Sequence, residues 1–417
     1  MTGELRRIVV VGASLAGHQV AVQLRALGFD GELTVFGAEP HRPYDRYPLS
    51  KAFLSGELDR AGLDIEPGDV GTDRAGLDSE PGDLDIEWCL GQQVTGLDLT
   101  RRSITVNGRR APFDGLVVAT GSRPRVPATL RRDVDGVFTL RTVEDGTALR
   151  AALAAGPRRV VVIGAGLVGA EVASHAAAAG HRTTVVDSSP LPTARTLGPA
   201  VATHLRALHL QHGVELLPET RMAALDVRAG RVHGVLLHTG SRVAADVVVL
   251  ATGTQPNTEW LQGSGLDTTD GLLVRPTLHA SGADIVVAVG DVVRAPHPLL
   301  DGEAVRVEHW ASARHQASTA AHNLLAGPGH ARPQSEPPVF GTTIHGAAIR
   351  GIGFPSKADA SQVLWGSIHA GEAVIAMRRQ GRLIGAVALN AADQLDIIDH
   401  ELRGTPAMPF SQGSPTV

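Results

Sequence analysis

The chain has 417 residues, which at about 150 residues per domain suggests two or three domains. Apolar residues make up 43% of it, as in a folded globular protein, and its formal net charge of −5 provides no positive field to recruit nucleic acid. The single cysteine, Cys89, excludes an internal disulfide framework and a CxxC redox pair, and it leaves a zinc ribbon without ligands. We therefore predict a cytoplasmic protein with no metal site and no nucleic-acid partner.

The N-terminus has two interpretations. Arg6 and Arg7 precede an apolar run at residues 8–11, as in the charged and apolar parts of a signal peptide. The same residues suit a buried strand that enters a glycine turn, and we favour the strand because helical spacing follows and no cleavage site is well placed. No stretch reaches about 18 uninterrupted apolar residues, so the sequence predicts no transmembrane helix and no membrane partner.

Two segments of the chain have the strand, glycine turn, helix and strand order of a nucleotide-binding βαβ unit. In both, a continuous β-branched run leads into the glycines, and a helical periodicity follows and stops at another glycine. The predicted elements of the first segment are strand 5–11, turn 12–17, helix 15–27 and strand 33–36. Those of the second are strand 159–163, turn 164–169, helix 167–179 and strand 183–186. Two such units predict two nucleotide ligands, or one ligand and a relic.

The first glycine turn reads GASLAG at residues 12–17, with Ser14 in place of the middle glycine. The glycines let the backbone approach a pyrophosphate, and the helix N-terminus offers it unpaired N–H groups and a partial positive charge. Glu39 lies 22 residues after Gly17, near the end of the next strand. We predict that Glu39 accepts hydrogen bonds from the ribose of the first nucleotide.

The second glycine turn reads GAGLVG at residues 164–169 and has all three glycines. Asp187 lies 18 residues after Gly169, at the end of the next predicted strand. A carboxylate at this point accepts both ribose hydroxyls and repels a 2′-phosphate. Because Ser188 and Ser189 follow Asp187, rather than an arginine, the sequence predicts NAD rather than NADP.

The remaining strands complete the predicted fold class, which is α/β. Three more buried strands end in small residues, at 117–121, 249–253 and 287–291. After a Gly- and Pro-rich linker at 327–338, apolar or alternating segments at 361–368, 372–378 and 383–389 are typical of an antiparallel sheet. We therefore expect two Rossmann-like nucleotide-binding domains and a small α+β C-terminal domain with an antiparallel sheet.

An acidic repeat separates the first βαβ unit from the rest of its domain. Residues 59–69 (DRAGLDIEPGD) and 73–83 (DRAGLDSEPGD) differ at one position, Ile65 against Ser79. A solenoid needs three or more copies, so we interpret the pair as a duplicated surface loop. An acidic docking or cation-binding loop is the alternative, although the spacing of an EF-hand is absent.

Several side chains have both a structural and a functional interpretation. Glu171 is expected in the first turn of its helix, where a carboxylate stabilises the helix dipole or pairs with a lysine near a reactive ring. His204, His209 and His212 have a spacing that suits a metal, but no carboxylate completes the set, so we expect a solvated helix face. Cys89 lies in a strand-like run and is expected to be a buried apolar residue.

The order and content of these segments resemble the FAD-dependent, NADH-using ferredoxin reductases of bacterial oxygenase and cytochrome P450 systems. These enzymes belong to the glutathione-reductase-like flavoproteins. The resemblance covers residues 5–326 well and the rest loosely, and its most specific parts are PLSK at 48–51 and the segment 164–171. The matching segments are 12–17, RPYDRYPLSK at 42–51, ATG at 119–121, LRT at 140–142, 164–171, Gly290-Asp291, and EHW at 308–310 with Gln316.

The resemblance implies two cofactors, FAD and NAD, with NADH as the electron donor. It implies an FAD-binding domain formed by residues 1–121 and 246–326, an NAD-binding domain at 122–245 and a C-terminal domain at 327–417. The cofactor-binding residues that it implies are Gly12, Ser14, Leu15, Ala16, Gly17, Glu39, Arg46, Lys51, Val94, Ala119, Thr120, Gly121, Arg125, Gly253, Gly290, Asp291, His309 and Trp310, and, on the NAD side, Gly164, Gly166, Leu167, Val168, Gly169, Glu171, Asp187 and Arg195.

The same resemblance implies individual roles. Arg46 contacts the FAD, Lys51 lies at the N5 edge of the flavin, and Glu171 pairs with Lys51, so these last two are the predicted catalytic residues. Asp291 holds the ribityl chain, and the segment around Trp310 lines the pyrimidine end of the flavin. Arg195 reaches the ribose or phosphates of NAD.

One segment departs from the family. Its members usually carry an FWSDQ run at the start of the third domain, whereas residues 340–344 here are FGTTI. Gly341 therefore stands where a tryptophan normally covers one face of the flavin. This difference bears on how the flavin is shielded and how electrons leave it.

We therefore predict an enzyme that takes a hydride from NADH onto FAD and passes electrons singly to a ferredoxin-type iron–sulfur protein, which feeds an oxygenase or a cytochrome P450. The alternatives are a reductase of another acceptor, such as rubredoxin, a quinone or a small oxidant, and a non-enzymatic NADH-sensing flavoprotein like apoptosis-inducing factor. A dithiol reductase is excluded by the single cysteine. The sequence is compatible with a monomer or a homodimer.

Deletion of residues 70–83, one repeat length of the acidic loop, is expected to leave FAD content and NADH-driven flavin reduction intact. The entropy of closing a surface loop changes slowly with its length, so the shorter loop should be tolerated. Flavin absorbance and anaerobic reduction by NADH measure both quantities. Loss of flavin would show that the loop is structural, and a selective loss of acceptor reduction would make it a docking element.

Overall fold

The computed structural model describes residues 5–65, 84–127, 130 and 134–404. The chain forms two compact units. The first unit comprises residues 1–45, 63–123 and 255–338, and the second comprises 46–62, 124–254 and 339–417. Most of the acidic repeat, from residue 66 to 83, lies outside the described residues.

The first unit is built on a six-stranded sheet. Its strands, in spatial order, are His279–Ala280, Ala283–Ala288, Gly115–Val118, Arg7–Val11, Glu32–Phe36 and Glu87–Cys89. All neighbours run parallel except the first pair. The Arg7–Val11 strand, predicted at 5–11, is confirmed, and it lies at the centre because its β-branched run is buried on both faces.

Two helices pack together beside this sheet, Leu15–Ala26 and Trp310–Ala326. Leu24 of the first and Ala320 of the second are fully buried in one core with Ile8 and Val117 of the sheet. The other strands of the unit form two small sheets: Val94–Asp98 with Ser103–Val106 and Arg109–Pro112, and Leu272–Leu273 with Val293–Pro296 and Ala304–Arg306. Its short 3-10 helices are Glu259–Leu261, Gly290–Val292, Pro298–Leu300 and Pro328–His330.

The second unit repeats this plan on a five-stranded parallel sheet. In spatial order its strands are Glu215–Leu217, Arg182–Val186, Arg159–Ile163, Val247–Leu250 and Val137–Phe138. The helices of this unit are Ala52–Ser55, Val143–Ala154, Leu167–Ala178, Ala194–Leu197, Pro199–Gln211 and Leu395–Leu402. An antiparallel sheet of Met222–Arg228, Arg231–Leu237 and Arg242–Ala244 lies in the same unit.

The predicted C-terminal antiparallel sheet is confirmed and belongs to the second unit. It has five strands in the order Val339–Ile344, Ala347–Gly353, Arg382–Leu389, Glu372–Arg379 and Ala360–Ser367. Ile344 and Ile349 of this sheet share a core with Leu205 of the Pro199–Gln211 helix. The sequence predicted three of these strands and missed the first two. The described residues also form short 3-10 helices at Tyr47–Ser50, Ala61–Leu63, Pro355–Lys357 and Ala392–Gln394, and a pair of strands, Ser122–Pro124 and Thr254–Pro256.

The domain boundary drawn at residue 246 is wrong. Val247–Leu250 pairs with Arg159–Ile163 in the second sheet, as Gly115–Val118 pairs with Arg7–Val11 in the first. Each of these neighbouring strands leads into the same sequence, Ala-Thr-Gly, at residues 119–121 and 251–253. The sequence alone therefore did not reveal which sheet each strand joins. The assignment of one nucleotide to each domain stays a prediction.

No helix among the described residues is long and apolar enough to cross a bilayer.

Candidate functional site

The first glycine turn cannot carry side chains at its outer glycines. Gly12 has a φ of +117°, and a Cβ there would lie 2.1 Å from the carbonyl oxygen of Ala119. A Cβ at Gly17 would lie 1.8 Å from the carbonyl oxygen of Gly12, so the helix packs against the turn without a side chain between them. Ser14 is the N-cap residue of the Leu15–Ala26 helix. The backbone thus presents a helix N-terminus at the end of the central strand, where a pyrophosphate fits.

The second glycine turn reproduces this geometry in the second unit. Gly164 has a φ of +98°, and a Cβ there would lie 2.3 Å from the carbonyl oxygen of Ala251. A Cβ at Gly169 would lie 2.0 Å from the carbonyl oxygen of Gly164. At Gly166 the space within 4 Å of a Cβ position is open, directly before the Leu167–Ala178 helix. Each unit therefore has a cradle that suits a dinucleotide pyrophosphate.

Both predicted ribose acids are held by neighbouring groups. The Oδ2 atom of Asp187 accepts a hydrogen bond from the Ala165 N–H at 2.7 Å, and its Oδ1 atom accepts one from the Ser189 N–H at 2.7 Å. In the first unit the Tyr44 hydroxyl donates to Glu39 Oε2 at 2.6 Å. Asp187 is therefore tied to the glycine turn itself, with lone pairs left for ribose hydroxyls. Nothing in the sequence relates Tyr44 to Glu39.

A cavity of about 520 Å³ opens beside the end of the Glu32–Phe36 strand. Its lining includes Phe36, Gln92, Val106 and the exposed Arg109 and Arg110. Val106 pairs across the sheet with Val94, one of the predicted FAD contacts. An apolar floor with cationic edges suits the adenosine end of a nucleotide that begins at the first glycine turn.

Polar contacts in the first unit orient the residues predicted to meet the flavin. The Ser122 hydroxyl donates to Asp291 Oδ2 at 3.1 Å, and the Gly290 N–H donates to Gln316 Oε1 at 2.7 Å. Thr120 Oγ1 donates to the Asn257 carbonyl oxygen at 2.8 Å. The sequence does not single out Ser122 or Asn257, since one isolated hydroxyl or amide gives no pattern. The arrangement fixes Asp291 at the end of the Ala283–Ala288 strand.

The Trp310 segment begins a helix in the first unit. His309 is the N-cap of the Trp310–Ala326 helix, and burial lowers its pKa although nearby Asp291 opposes the shift. Trp310 is 38% exposed, and the guanidinium carbon of Arg314 lies 4.7 Å from its ring centroid. Arg314 therefore lies against one part of the Trp310 ring.

The remaining predicted contact residues lie in the second unit. Arg46 Nη1 donates to the Arg141 carbonyl oxygen at 2.9 Å, so the guanidinium bridges two of the segments that carry the resemblance. Arg125 donates through its N–H to the Gly253 carbonyl oxygen at 2.9 Å. Arg195 is exposed on the Ala194–Leu197 helix. The nucleotide contacts of these arginines stay predictions.

Lys51 and Glu171 form the ion pair that the resemblance implied. Lys51 Nζ lies 2.9 Å from Glu171 Oε1, although the two residues are 120 positions apart in the chain. The Glu171 side chain is 4% exposed and that of Lys51 is 21% exposed. Lys51 Nζ also lies 3.9 Å from the centroid of the Tyr47 ring. The pairing itself is confirmed, and its position against a flavin stays a prediction.

The predicted position of Glu171 in its helix is wrong. The Leu167–Ala178 helix has no acidic residue in its first turn, and Glu171 lies in the second turn, where it is buried. Its carboxylate accepts hydrogen bonds from the Ser50 and Thr342 hydroxyls as well as the ion pair with Lys51. Glu171 therefore anchors a buried polar network instead of stabilising the helix dipole.

Gly341 lies beside the Arg350 side chain, a contact that the sequence did not predict. A Cβ at Gly341 would lie 2.8 Å from Nη1 of Arg350, its cross-strand partner in the C-terminal sheet. The same Nη1 donates to the Ile349 carbonyl oxygen at 3.1 Å. The Arg350 guanidinium thus covers the position where the family resemblance leads us to expect a tryptophan, and a larger residue at 341 would have to displace it.

The solvated face predicted for the three histidines is wrong at His209. His209 is buried, and its Nδ1 lies 2.9 Å from Nε2 of His345, while the His212 ring stacks on His345 at 4.2 Å. Burial and the neighbouring imidazoles lower the pKa values of His209 and His345 to about 4. Within the described ranges no group of three or more His, Cys, Asp or Glu side chains could hold a metal ion.

The second unit is expected to lose stability between pH 6.5 and pH 4. In the folded protein the pKa values of both histidines, about 4, lie below the ordinary histidine pKa of about 6.5, so the unfolded chain binds more protons between these two pH values. The contribution of this pair to the free energy of unfolding is therefore complete above about pH 6.5. It is lost as the pH falls toward 4, by about 1.4 kcal/mol per pH unit for each proton taken up. Urea unfolding at pH 7 and pH 5 measures this loss. His345→Asn, which tolerates the φ of +49° at this position, should reduce the loss, and His330→Asn on the exposed surface should not. Equal losses in both variants would contradict the assignment.

Cys89 ends the Glu87–Cys89 strand, as the strand-like run predicted. The side chain is only partly buried, so the prediction that Cys89 is a buried residue is wrong. Burial is nevertheless the main cause that raises the pKa of its thiol.

The protein family to which this chain belongs follows from its match to a family of known sequences. Residues 6–317 match the pyridine nucleotide-disulphide oxidoreductase family. The chain belongs to this family. Membership makes it an oxidoreductase with FAD and a nicotinamide nucleotide as its cofactors, in agreement with the two cradles. Since the whole chain has one cysteine, it is a member without a dithiol of its own.

Several known reductases are similar to this chain over most of its length. The ferredoxin–NAD(+) reductase component of the biphenyl dioxygenase system of Paraburkholderia xenovorans is 33% identical over 392 residues, 94% of this chain and 91% of that protein. The rubredoxin–NAD(+) reductase of Ectopseudomonas oleovorans is 30% identical over 397 residues, 92% of this chain and 99% of that protein. The solved structure of putidaredoxin reductase in its covalent complex with putidaredoxin has a TM-score of 0.86 at 27% identity, over 95% of this chain and 92% of that one. The chain thus matches such reductases over nearly their full length.

Proposed function

We propose that this flavoprotein takes a hydride from NADH onto FAD and passes the electrons singly to a ferredoxin-type iron–sulfur protein, which feeds an oxygenase or a cytochrome P450. The observation that carries the proposal is the presence of two dinucleotide cradles in a chain with a single cysteine. Electrons that enter from a nicotinamide nucleotide have no dithiol to pass to, so an external acceptor receives them from the flavin. The relatives named above act on ferredoxins or rubredoxin, which supports a small iron–sulfur acceptor or its close analogue.

The residues of the two cradles bind and orient. Helix N-termini behind Gly12 and Gly164 hold the two pyrophosphates, and Asp187 accepts the ribose hydroxyls of the nicotinamide nucleotide. FAD, when bound, supplies the conversion from two-electron to one-electron transfer. We assign to Lys51 the stabilisation of negative charge that hydride delivery produces, and to Glu171 the orientation of the lysine.

A rubredoxin is the second candidate acceptor, because the match to the rubredoxin reductase extends over 99% of that protein. Both acceptors take one electron at a time, so the path through NADH and FAD is the same. We place the protein in the cytoplasm, where reducing conditions suit its chemistry and its unpaired cysteine.

The absorption spectrum of the purified protein, recorded without oxygen before and after addition of NADH, tests the cofactor and donor together. We expect flavin bands that bleach rapidly with NADH and slowly with NADPH. A protein purified without flavin that also fails to bind added FAD would contradict the proposal.

A further inference from the structure

The Glu171 carboxylate is held by three donors that come from two distant segments of the second unit. Ser50 donates to Oε2, Thr342 donates to Oε1, and Lys51 Nζ lies 2.9 Å from Oε1. Ser50 is 7% exposed, Thr342 is fully buried and Glu171 is 4% exposed. The Thr342 hydroxyl comes from the C-terminal sheet, 171 positions beyond Glu171 in the chain. The C-terminal sheet thus contributes directly to the ion pair.

A buried carboxylate depends on such donors. An ionised group out of water keeps its charge and position only where hydrogen bonds replace its solvation. The two hydroxyls are neutral, so they satisfy the Glu171 oxygens without cancelling the charge that faces Lys51. Hydrogen bonds to a charged group are also stronger than those between neutral groups. Thr342 therefore fixes the direction in which Glu171 presents its charge.

The strand that carries Thr342 has a second contact with the lysine segment. The Tyr47 hydroxyl donates to the Gly341 carbonyl oxygen at 3.2 Å, and Lys51 Nζ lies over the Tyr47 ring. The Val339–Ile344 strand therefore contacts the surroundings of both residues of the ion pair. Its Thr342 donates to Glu171, and its Gly341 accepts from Tyr47, whose ring lies beside Lys51 Nζ. Thr343, the next residue on the strand, is exposed and has no part in this network.

We propose that Thr342 is a positioning residue of the redox centre. Its hydroxyl holds Glu171 against Lys51, and through it the C-terminal sheet sets how strongly the lysine charge acts on the flavin. This inference rests on the proposed function for its kinetic consequence, but the positioning of the ion pair can be tested without it.

The chain has only two lysines, Lys51 and Lys357, so the environment of Lys51 can be followed by lysine NMR with a single other signal present. Protein grown with lysine labelled at the ε-carbon gives one NMR signal from each. We expect Thr342→Val, which keeps the size and the strand-forming shape of the residue, to shift the Lys51 signal toward that of a solvated lysine and leave the Lys357 signal unchanged. Thr342→Ser, which retains the hydroxyl, should restore the wild-type signal. The matched control is Thr343→Val at the exposed neighbour.

The second measurement is the behaviour of the bound flavin. Thr342→Val should shift the midpoint potential of the flavin and slow its reduction by NADH about tenfold, with the KM for NADH nearly unchanged. Thr342→Ala also removes the hydroxyl and takes the place of Thr342→Val if that variant does not fold. Ser50→Ala removes the other hydroxyl without touching the strand and should act in the same direction.

Two results would overturn the inference. One is a Lys51 signal and a flavin potential in Thr342→Val that equal those of Thr343→Val. The other is an effect of Thr342→Val that Thr342→Ser does not reverse, since this would show that the hydroxyl is not the cause. A wild-type protein whose flavin NADH does not reduce would refute the proposed function instead, and the lysine signals would still decide the positioning.

Discussion

Lys51→Met is expected to slow the reduction of bound FAD by NADH about ten- to a hundredfold, while FAD stays bound. The substitution removes the cation that we assign to the developing negative charge, and it leaves the buried Glu171 carboxylate without its counter-ion. Breaking a fully buried pair typically costs about 3–5 kcal/mol, and the cost is lower here because the lysine side chain is 21% exposed. Stopped-flow absorbance under anaerobic conditions measures the rate, and the flavin-to-protein ratio measures FAD retention.

Two controls make this result interpretable. Lys357→Met removes the chain's other lysine and should leave the rate unchanged. Glu171→Gln keeps the size of the side chain and should slow the rate more than it weakens NADH binding, because we assign to Glu171 the orientation of the lysine. A Lys51→Met protein that is reduced as fast as wild type would show that the ion pair is structural only.

Asp187→Ala is expected to raise the KM for NADH about tenfold and to narrow the preference for NADH over NADPH. The carboxylate is predicted to accept the ribose hydroxyls and to repel a 2′-phosphate. It also holds the second glycine turn through the Ala165 N–H, so its loss loosens the pyrophosphate cradle as well. Values of kcat/KM for both nucleotides measure the effect.

The companion variant Asp187→Asn separates charge from hydrogen bonding. It keeps an oxygen that can accept from the backbone but carries no charge, so the preference for NADH should narrow while the KM rises less than in Asp187→Ala. Equal kcat/KM for NADH and NADPH in the wild-type protein would refute the assignment of Asp187.

The local elements of the two nucleotide folds were predictable because each carries its own signal. The run that forms Arg7–Val11 is continuously β-branched, and Gly12 and Gly164 occupy backbone conformations that favour glycine. The two strands missed at Val339–Ile344 and Ala347–Gly353 have only short apolar runs, since Thr342 and Thr343 interrupt the first and Arg350 interrupts the second.

The candidate site was predictable only where a family motif named the residues. The pairing of Lys51 with Glu171 came from the resemblance, because nothing in local sequence relates residues 120 positions apart. Thr342, whose hydroxyl also binds Glu171, lies 171 positions beyond Glu171 in the chain and matches no motif in the sequence. His209 was misjudged for the same reason, since its partner His345 is 136 positions away. Long-range contacts decide burial, and a helical face shows only its own periodicity.

The most direct test of the central claim is the electron balance of an anaerobic mixture of the flavoprotein, NADH and a [2Fe–2S] ferredoxin from a dioxygenase system, with a rubredoxin in a parallel reaction. We predict that each NADH consumed reduces two molecules of the one-electron acceptor, and that no consumption beyond one flavin equivalent occurs when the acceptor is left out. NADH consumption that stops at one flavin equivalent and leaves both iron proteins oxidised would contradict a reductase of this type.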